Sequence, residues 1–117
     1  MTLHVKRLYE DPSRRDGRRI LVDRLWPRGL RKEKAAIDEW RKDLAPSDEL
    51  RRWFGHDPKR WSEFRRRYWE ELEDHEDELR ELGRLAREEE VTLVFAARDP
   101  ERNNAMVLKE LIEELSG

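Results

Sequence analysis

The sequence predicts a small α/β domain: a mainly parallel sheet with helices packed on it, one of them long and amphipathic and one at the C-terminus. Three observations carry this. Two apolar runs, residues 20–22 and 91–97, read as strands buried on both faces. Between them a stripe of Trp61, Phe64, Tyr68, Leu72, His75, Leu79 and Leu82 recurs at helical spacing. The second apolar run then passes through a tight turn, Arg98-Asp99-Pro100, straight into another helical pattern.

The elements follow in order. Leu3, Val5 and, less cleanly, Leu8 alternate with polar residues and predict an outer strand over 3–9. Pro12, Asp16 and Gly17 make 10–17 a turn. A buried strand over 19–25 ends in the loop Trp26-Pro27-Arg28-Gly29, where proline removes a donor and glycine relieves backbone crowding. Residues 32–37 suit a helical turn, and 38–44 suit either an irregular strand or an extended connection.

Ser47 is an N-cap with Asp48 and Glu49 in the first turn, and Leu50, Trp53 and Phe54 form the apolar face of a short helix ended by Gly55. Asp57-Pro58 starts the long helix, expected over 58–87 with a bend or break near 74–77. A right-handed crossover is expected to join the two buried strands. Asp99 as cap and Pro100 at the first helical position open the closing helix, which runs to about 115 and buries Ala105, Leu108, Leu111 or Ile112, and Leu115.

The chain has 117 residues, which suits one α/β domain over 1–117. Charged residues make up 46% and hydrophobic ones 36%, a balance near that of disordered chains; five Trp, three Phe, two Tyr and the periodic apolar segments place it among folded ones. With no cysteine there is no disulfide framework, thiol nucleophile or iron–sulfur ligand set. No stretch has the length and apolarity of a membrane span or a secretory leader, so a cytoplasmic protein with no membrane association is expected. The net charge of −2 gives no global signature of nucleic-acid binding. Twenty of the 26 basic residues are arginine, a bias explained by the codon usage of a GC-rich genome, with ion-pair networks of a heat-adapted protein as a second cause.

In open α/β sheets ligands bind outside the carboxyl ends of the strands. The two candidate ends, residues 23–29 and 98–104, are dense in Arg, Asp and Asn where the strands themselves are apolar. If the strands are neighbours, Arg24 or Arg28 and Arg98 converge with a helix start, which is an anion site in physical terms. The candidate ligand-binding set is Asp23, Arg24, Trp26, Arg28, Arg98, Asp99, Asn103 and Asn104. Its ligand is expected to be a small anion, phosphate- or nucleotide-like, with Asp23 orienting an arginine or accepting a ligand hydroxyl and the asparagines reading polar edges. Asp99 as a simple cap, and Asp23 paired with an arginine to lock the loop, are the structural alternatives.

Among the histidines, His75 lies on the apolar stripe, whereas His56, in the loop after Gly55, is the better candidate for proton transfer or ligand contact. The three histidines show no metal-ligand spacing, no cofactor motif is present, and Ser47 reads as a cap rather than a nucleophile.

A second class of function is a nucleic-acid-associated module. It would use the basic face over 59–67 (Lys59, Arg60, Arg65, Arg66, Arg67), with tryptophans for stacking and Trp69 the one expected to be most exposed. The acidic stretch over 70–81 permits a third, a structural protein that binds a partner. Basic residues before acidic ones oppose the helix dipole and give Arg66–Glu70 and Arg67–Glu71 the weaker pairing order.

The runs VDRLWPRG (22–29), DEWRKDLAPSDELRRWF (38–54), FRRRYWEEL (64–72) and VTLVFAARDPERNNAMVL (91–108) resemble the YeaO-like proteins, a bacterial and archaeal group of unknown function, over nearly the full length. The resemblance implies a compact α/β domain and supplies no activity to carry over. Some members carry a name as a porphyrin-pathway methyltransferase, but the glycine-rich cofactor loop such an enzyme needs is missing here. More distant relatives have a DVR-like strand end and a C-A-E…C-H-R pattern near the last helix, which suggests an active site. The matching places here are Asp23-Arg24, then Ala96-Ala97-Arg98 with Asn103-Asn104-Ala105. The Cys, Glu, His and Arg of that pattern are absent, which leaves open whether any reaction is catalysed.

Overall fold

Four strands, all parallel, form one sheet in the order β1-β4-β2-β3 in the computed structural model, which describes residues 2–116. They are β1 (Leu3–Arg7), β2 (Arg18–Leu21), β3 (Glu39–Trp40) and β4 (Val91–Phe95). The helices are α1 (Lys32–Ala35), α2 (Asp48–Phe54), α3 (Trp61–Leu72), α4 (Glu76–Glu88) and α5 (Asn104–Ser116).

Central position explains the character of β4. It pairs with β1 (Leu3 opposite Val91) and with β2 (Ile20 opposite Leu93), so every residue of β4 is buried. β1 is the expected outer strand, and β2 and β4 are neighbours. The open question at 38–44 resolves as a two-residue edge strand, β3, followed by a 3-10 turn at Lys42–Leu44.

One face of the sheet, with Leu3, Ile20, Val22, Val91, Leu93 and Phe95, packs under helices α2–α5 in the main core. The other face carries a smaller cluster of Leu8, Leu21, Ala35 and Val94, covered by Trp26, Leu30 and Ile37 of the segment between β2 and β3. The helical stripe is the face that covers the sheet, as its periodicity predicts: Phe64, Tyr68, Leu72, Leu79 and Leu82 are all buried. The long helix is interrupted by a 3-10 turn at Glu73–His75, next to the expected break.

Ser47 caps α2 by accepting from the Leu50 amide, and Gly55 closes it with φ +53°. Asp57 accepts from the Lys59 amide and Pro58 opens a 3-10 turn that runs into α3.

Two expectations need correction. The last helix starts at Asn104, not at Pro100. Asp99 spends its carboxylate on the Glu101 and Arg102 amides, which curls residues 99–102 into a turn of their own. The helix cap passes to Asn103, whose Oδ1 accepts from the Met106 amide. Trp69 is not the exposed tryptophan: it is partly buried with Arg65 stacked 5.0 Å over its ring, and Trp40 is the exposed one.

A buried ion pair fixes the start of β2. Arg19, only 3% exposed, donates to Asp16 Oδ2 (2.6 Å), the Ala36 carbonyl (3.1 Å) and the Ala35 carbonyl (3.0 Å). Asp16 also takes Lys6 Nζ at 3.2 Å and the Ser13 amide at 3.0 Å. These hydrogen bonds hold the Asp16 carboxyl below the ordinary range although burial pulls the other way. Gly17 follows with φ +63°, and a Cβ there would lie 2.2 Å from the Glu90 carbonyl oxygen. Only glycine lets the turn come this close to the start of β4.

Candidate functional site

The carboxyl ends of β2 and β4 open into a cleft of about 640 Å³, within the size range of small-molecule sites. All eight residues singled out from the sequence line it. Parallel pairing is the reason: it brings two Arg- and Asp-rich strand ends, distant in sequence, to the same edge of the sheet.

Asp23 is the organising residue. Its Oδ2 accepts the Ala96 amide (2.9 Å) at the end of β4, and its Oδ1 accepts from Asn104 Nδ2 (3.1 Å) at the start of α5. The same Asn104 nitrogen donates to the Val22 carbonyl (2.9 Å). One carboxylate therefore ties two strand ends and a helix start together. Burial raises its pKa above the ordinary carboxylate value, against the lowering pull of the Ala96 amide, Asn104 and the nearby His56. Among the described residues Asp23 forms no ion pair with an arginine, so that alternative for the residue does not hold.

The arginines divide into two groups. Arg51 pairs with Asp48 (2.7 Å) and Arg102 with Asp99 (3.5 Å). Arg24, Arg28 and Arg98 form no ion pair among the described residues; Arg24 uses Nε on the Pro46 carbonyl (3.0 Å) and keeps its remaining N–H groups. Arg28 and Arg98 are exposed. With five arginines against two aspartates, the lining is cationic.

Aromatic and proline side chains complete the walls. Trp26 donates Nε1 to the Leu30 carbonyl (2.8 Å) and meets Trp40 edge-on at 5.6 Å. Trp40 in turn donates to the Asp23 carbonyl (2.7 Å). Phe54 and Phe64, stacked at 4.2 Å, close the inner wall.

Asn103 takes a different part from the one expected, whereas His56, the histidine singled out for ligand contact or proton transfer, lines the cleft. Asn103, 2% exposed, spends its amide on the Asp99 carbonyl (3.0 Å) and its oxygen on the helix cap, so it builds the wall rather than reading a ligand. His56 reaches the cleft in a left-handed backbone conformation, φ +57°, with its ring 5.9 Å from Phe54. The inner wall from α2 and α3 is invisible to strand-end reasoning; only the Gly55-His56 loop hinted at it.

Four of the five basic residues over 59–67 are paired within the chain. Arg66 pairs with Glu63 and Glu70, Arg67 with Glu63, Arg65 with Glu110 and Arg60 with Asp57. Arg66 and Arg67 hold the Glu63 carboxyl down to about 2. Arg67 and Arg60 stack over Trp53 at 4.4 and 5.3 Å, so its ring is already covered. Glu71, an expected partner of Arg67, instead accepts from the Ser47 amide and hydroxyl (2.8 and 2.6 Å).

Among the described residues no three His, Asp or Glu side chains gather as a metal site, and no helix is long and apolar enough to cross a membrane.

A family model described as the inactive DUF488-N3 subclade matches residues 2–116. The uncharacterized protein YeaO of Escherichia coli is 41% identical over 115 residues, covering 98% of this chain and all of that protein. Uncharacterized proteins of Mycobacterium tuberculosis and Mycobacterium bovis are 47% identical over 110 residues, covering 94% of this chain and 92% of theirs. No solved structure matches the chain with significance.

Proposed function

This chain belongs to the DUF488-N3i family, the inactive DUF488-N3 subclade, and we propose that it binds a small anionic ligand, phosphate- or nucleotide-like, in the cleft at the ends of β2 and β4 without transforming it. The observation that carries this reading is the trio Arg24, Arg28 and Arg98. Three guanidinium groups without carboxylate partners surround one aromatic-walled cleft, while the arginines of α3 are paired within the chain. Planar guanidinium forks suit phosphate and carboxylate oxygens, and the start of α5 adds the favourable end of a helix dipole.

Binding without turnover fits the positions where distant relatives carry Cys, Glu, His and Arg: here they hold Ala96, Arg98, Asn103, Asn104 and Ala105. The subclade's designation as inactive points the same way.

A thermal-shift screen against nucleotides, sugar phosphates and inorganic phosphate tests the proposal. A ligand at 100 times its Kd adds about 2.7 kcal/mol of stability, a shift of several degrees for a domain of this size. The shift is expected to disappear in Arg98→Ala; a full shift in that variant, or none in wild type across the panel, refutes the reading.

A further inference from the structure

The cleft is polar in two opposite senses, and this narrows what it accepts. Its unpaired donors are the guanidinium groups, with Arg28 and Arg98 exposed at the rim. Asp23 and Asn104, both partly buried and on its wall, offer the reverse. Both hydrogens of Asn104 Nδ2 are taken, by the Val22 carbonyl and Asp23 Oδ1. Neither partner allows the amide to be turned round, because the Val22 carbonyl cannot donate. Asn104 Oδ1 is thereby fixed as an acceptor, with no protein donor among the described residues and without being sealed off from solvent. The Asp23 oxygens each receive one hydrogen bond and keep lone pairs to spare. Asn103, the neighbouring amide, is 2% exposed, with one N–H on the Asp99 carbonyl and its oxygen on the Met106 amide.

We infer that the ligand is a phosphate monoester bearing hydroxyl or amine donors, a sugar phosphate or nucleoside monophosphate, bound with its donors on Asp23 and Asn104 and its phosphate on the rim arginines. This rests on the cleft being the binding site proposed above and adds the ligand's class and direction. A bare anion placed against Asp23 meets like charge, and at the rim it finds the guanidinium groups but leaves the Asp23 and Asn104 acceptors unused. A hydroxylated phosphate satisfies both ends at once. A ligand that displaces water from these acceptors without offering a donor loses those hydrogen bonds, so an analogue lacking the hydroxyls binds more weakly.

The test uses matched probes and calorimetry at pH 8. Ribose 5-phosphate is compared with propyl phosphate, which has the same charged group and no hydroxyl. Adenosine 5′-monophosphate is compared with its 2′,3′-dideoxy analogue, and inorganic phosphate serves as the bare anion. At least one hydroxylated probe is expected to bind tenfold or more tighter than its matched analogue and than inorganic phosphate. In Asn104→Ser, checked for an unchanged fold by circular dichroism, that ratio is expected to shrink several-fold. If propyl phosphate and inorganic phosphate bind as tightly as the hydroxylated probes, and Arg98→Ala abolishes all of them, the direction and class are wrong while the cleft reading stands. If none of the probes binds, both fall.

Discussion

Replacing Asp23 by alanine removes two hydrogen bonds that join three elements: the Ala96 amide at the end of β4 and Asn104 Nδ2 at the start of α5. Hydrogen bonds to a charged group contribute about 1.5–3 kcal/mol each, so the gross loss is about 3–6 kcal/mol. Two effects reduce it. Burial desolvates the carboxylate and raises its pKa, and removing it relieves that cost. The cleft is open enough for water to reach the freed donors. A net destabilisation of about 2 kcal/mol remains, to be read as a lower urea midpoint at unchanged slope. The ends of β2 and β4 are expected to loosen first, with faster hydrogen exchange at Ala96 and Asn104 and little change at Leu93. A loss below about 0.5 kcal/mol, or faster exchange spread evenly over the sheet, would refute the view of Asp23 as the residue tying the site together.

Other outcomes follow from the same structure. Because the folded-state pKa of Asp23 is raised, the folded protein binds more protons than the unfolded one between the ordinary carboxylate value and the raised one. The extra stability of the protonated over the ionised Asp23 is therefore present below that window and lost as pH rises through it. Asp23→Asn cannot titrate, so urea melts should show wild type losing stability relative to this variant as pH climbs above the ordinary carboxylate value; a constant difference contradicts the assignment. Arg19→Ala leaves the buried Asp16 carboxylate short of a partner and should cost about 3–5 kcal/mol; a melt within 1 kcal/mol of wild type would show the network to be dispensable. Gly17→Ala, strained at φ +63° and crowded against backbone, should destabilise by at least about 1 kcal/mol. Gly83→Ala meets mainly the movable Ser116 hydroxyl inside a helix and should be far milder, so equal effects in thermal melts would count against both readings. NMR titration should place the Glu63 carboxyl midpoint near 2; an ordinary value would mean that Arg66 and Arg67 do not hold it.

The legible parts of this fold were those governed by one local rule. β4 reads directly because a strand paired on both sides and covered on both faces is apolar, apart from Thr92, whose hydroxyl donates to the Asp16 carbonyl. The helical stripe reads because burial selects one face in every turn. The eight cleft residues were legible because parallel pairing gathers strand ends on one side, so neighbouring strands bring together side chains that are far apart in sequence.

What escaped the sequence depends on competition between residues. Asp99, Asn103 and Asn104 are all acceptable caps, and only the turn made by Asp99 decides that the helix begins at Asn104. The same turn takes up Asn103 and leaves Asn104 facing the cleft. The Asp16–Arg19 pair looks like surface charge until β2 is placed in the sheet and buries it. The two-residue β3 carries too few residues for any periodicity. Trp69 adjoins the buried stripe and reads as outward-facing, but a guanidinium from the preceding turn covers it.

The most direct test of the central claim is a titration of isotope-labelled protein with adenosine 5′-monophosphate, followed by amide chemical shifts. Binding in the cleft predicts saturable shifts confined to residues 23–28, 54–58 and 96–104, lost in Arg98→Ala. Shifts centred on residues 59–67, or none at millimolar ligand for this or any other phosphate probe, would contradict it.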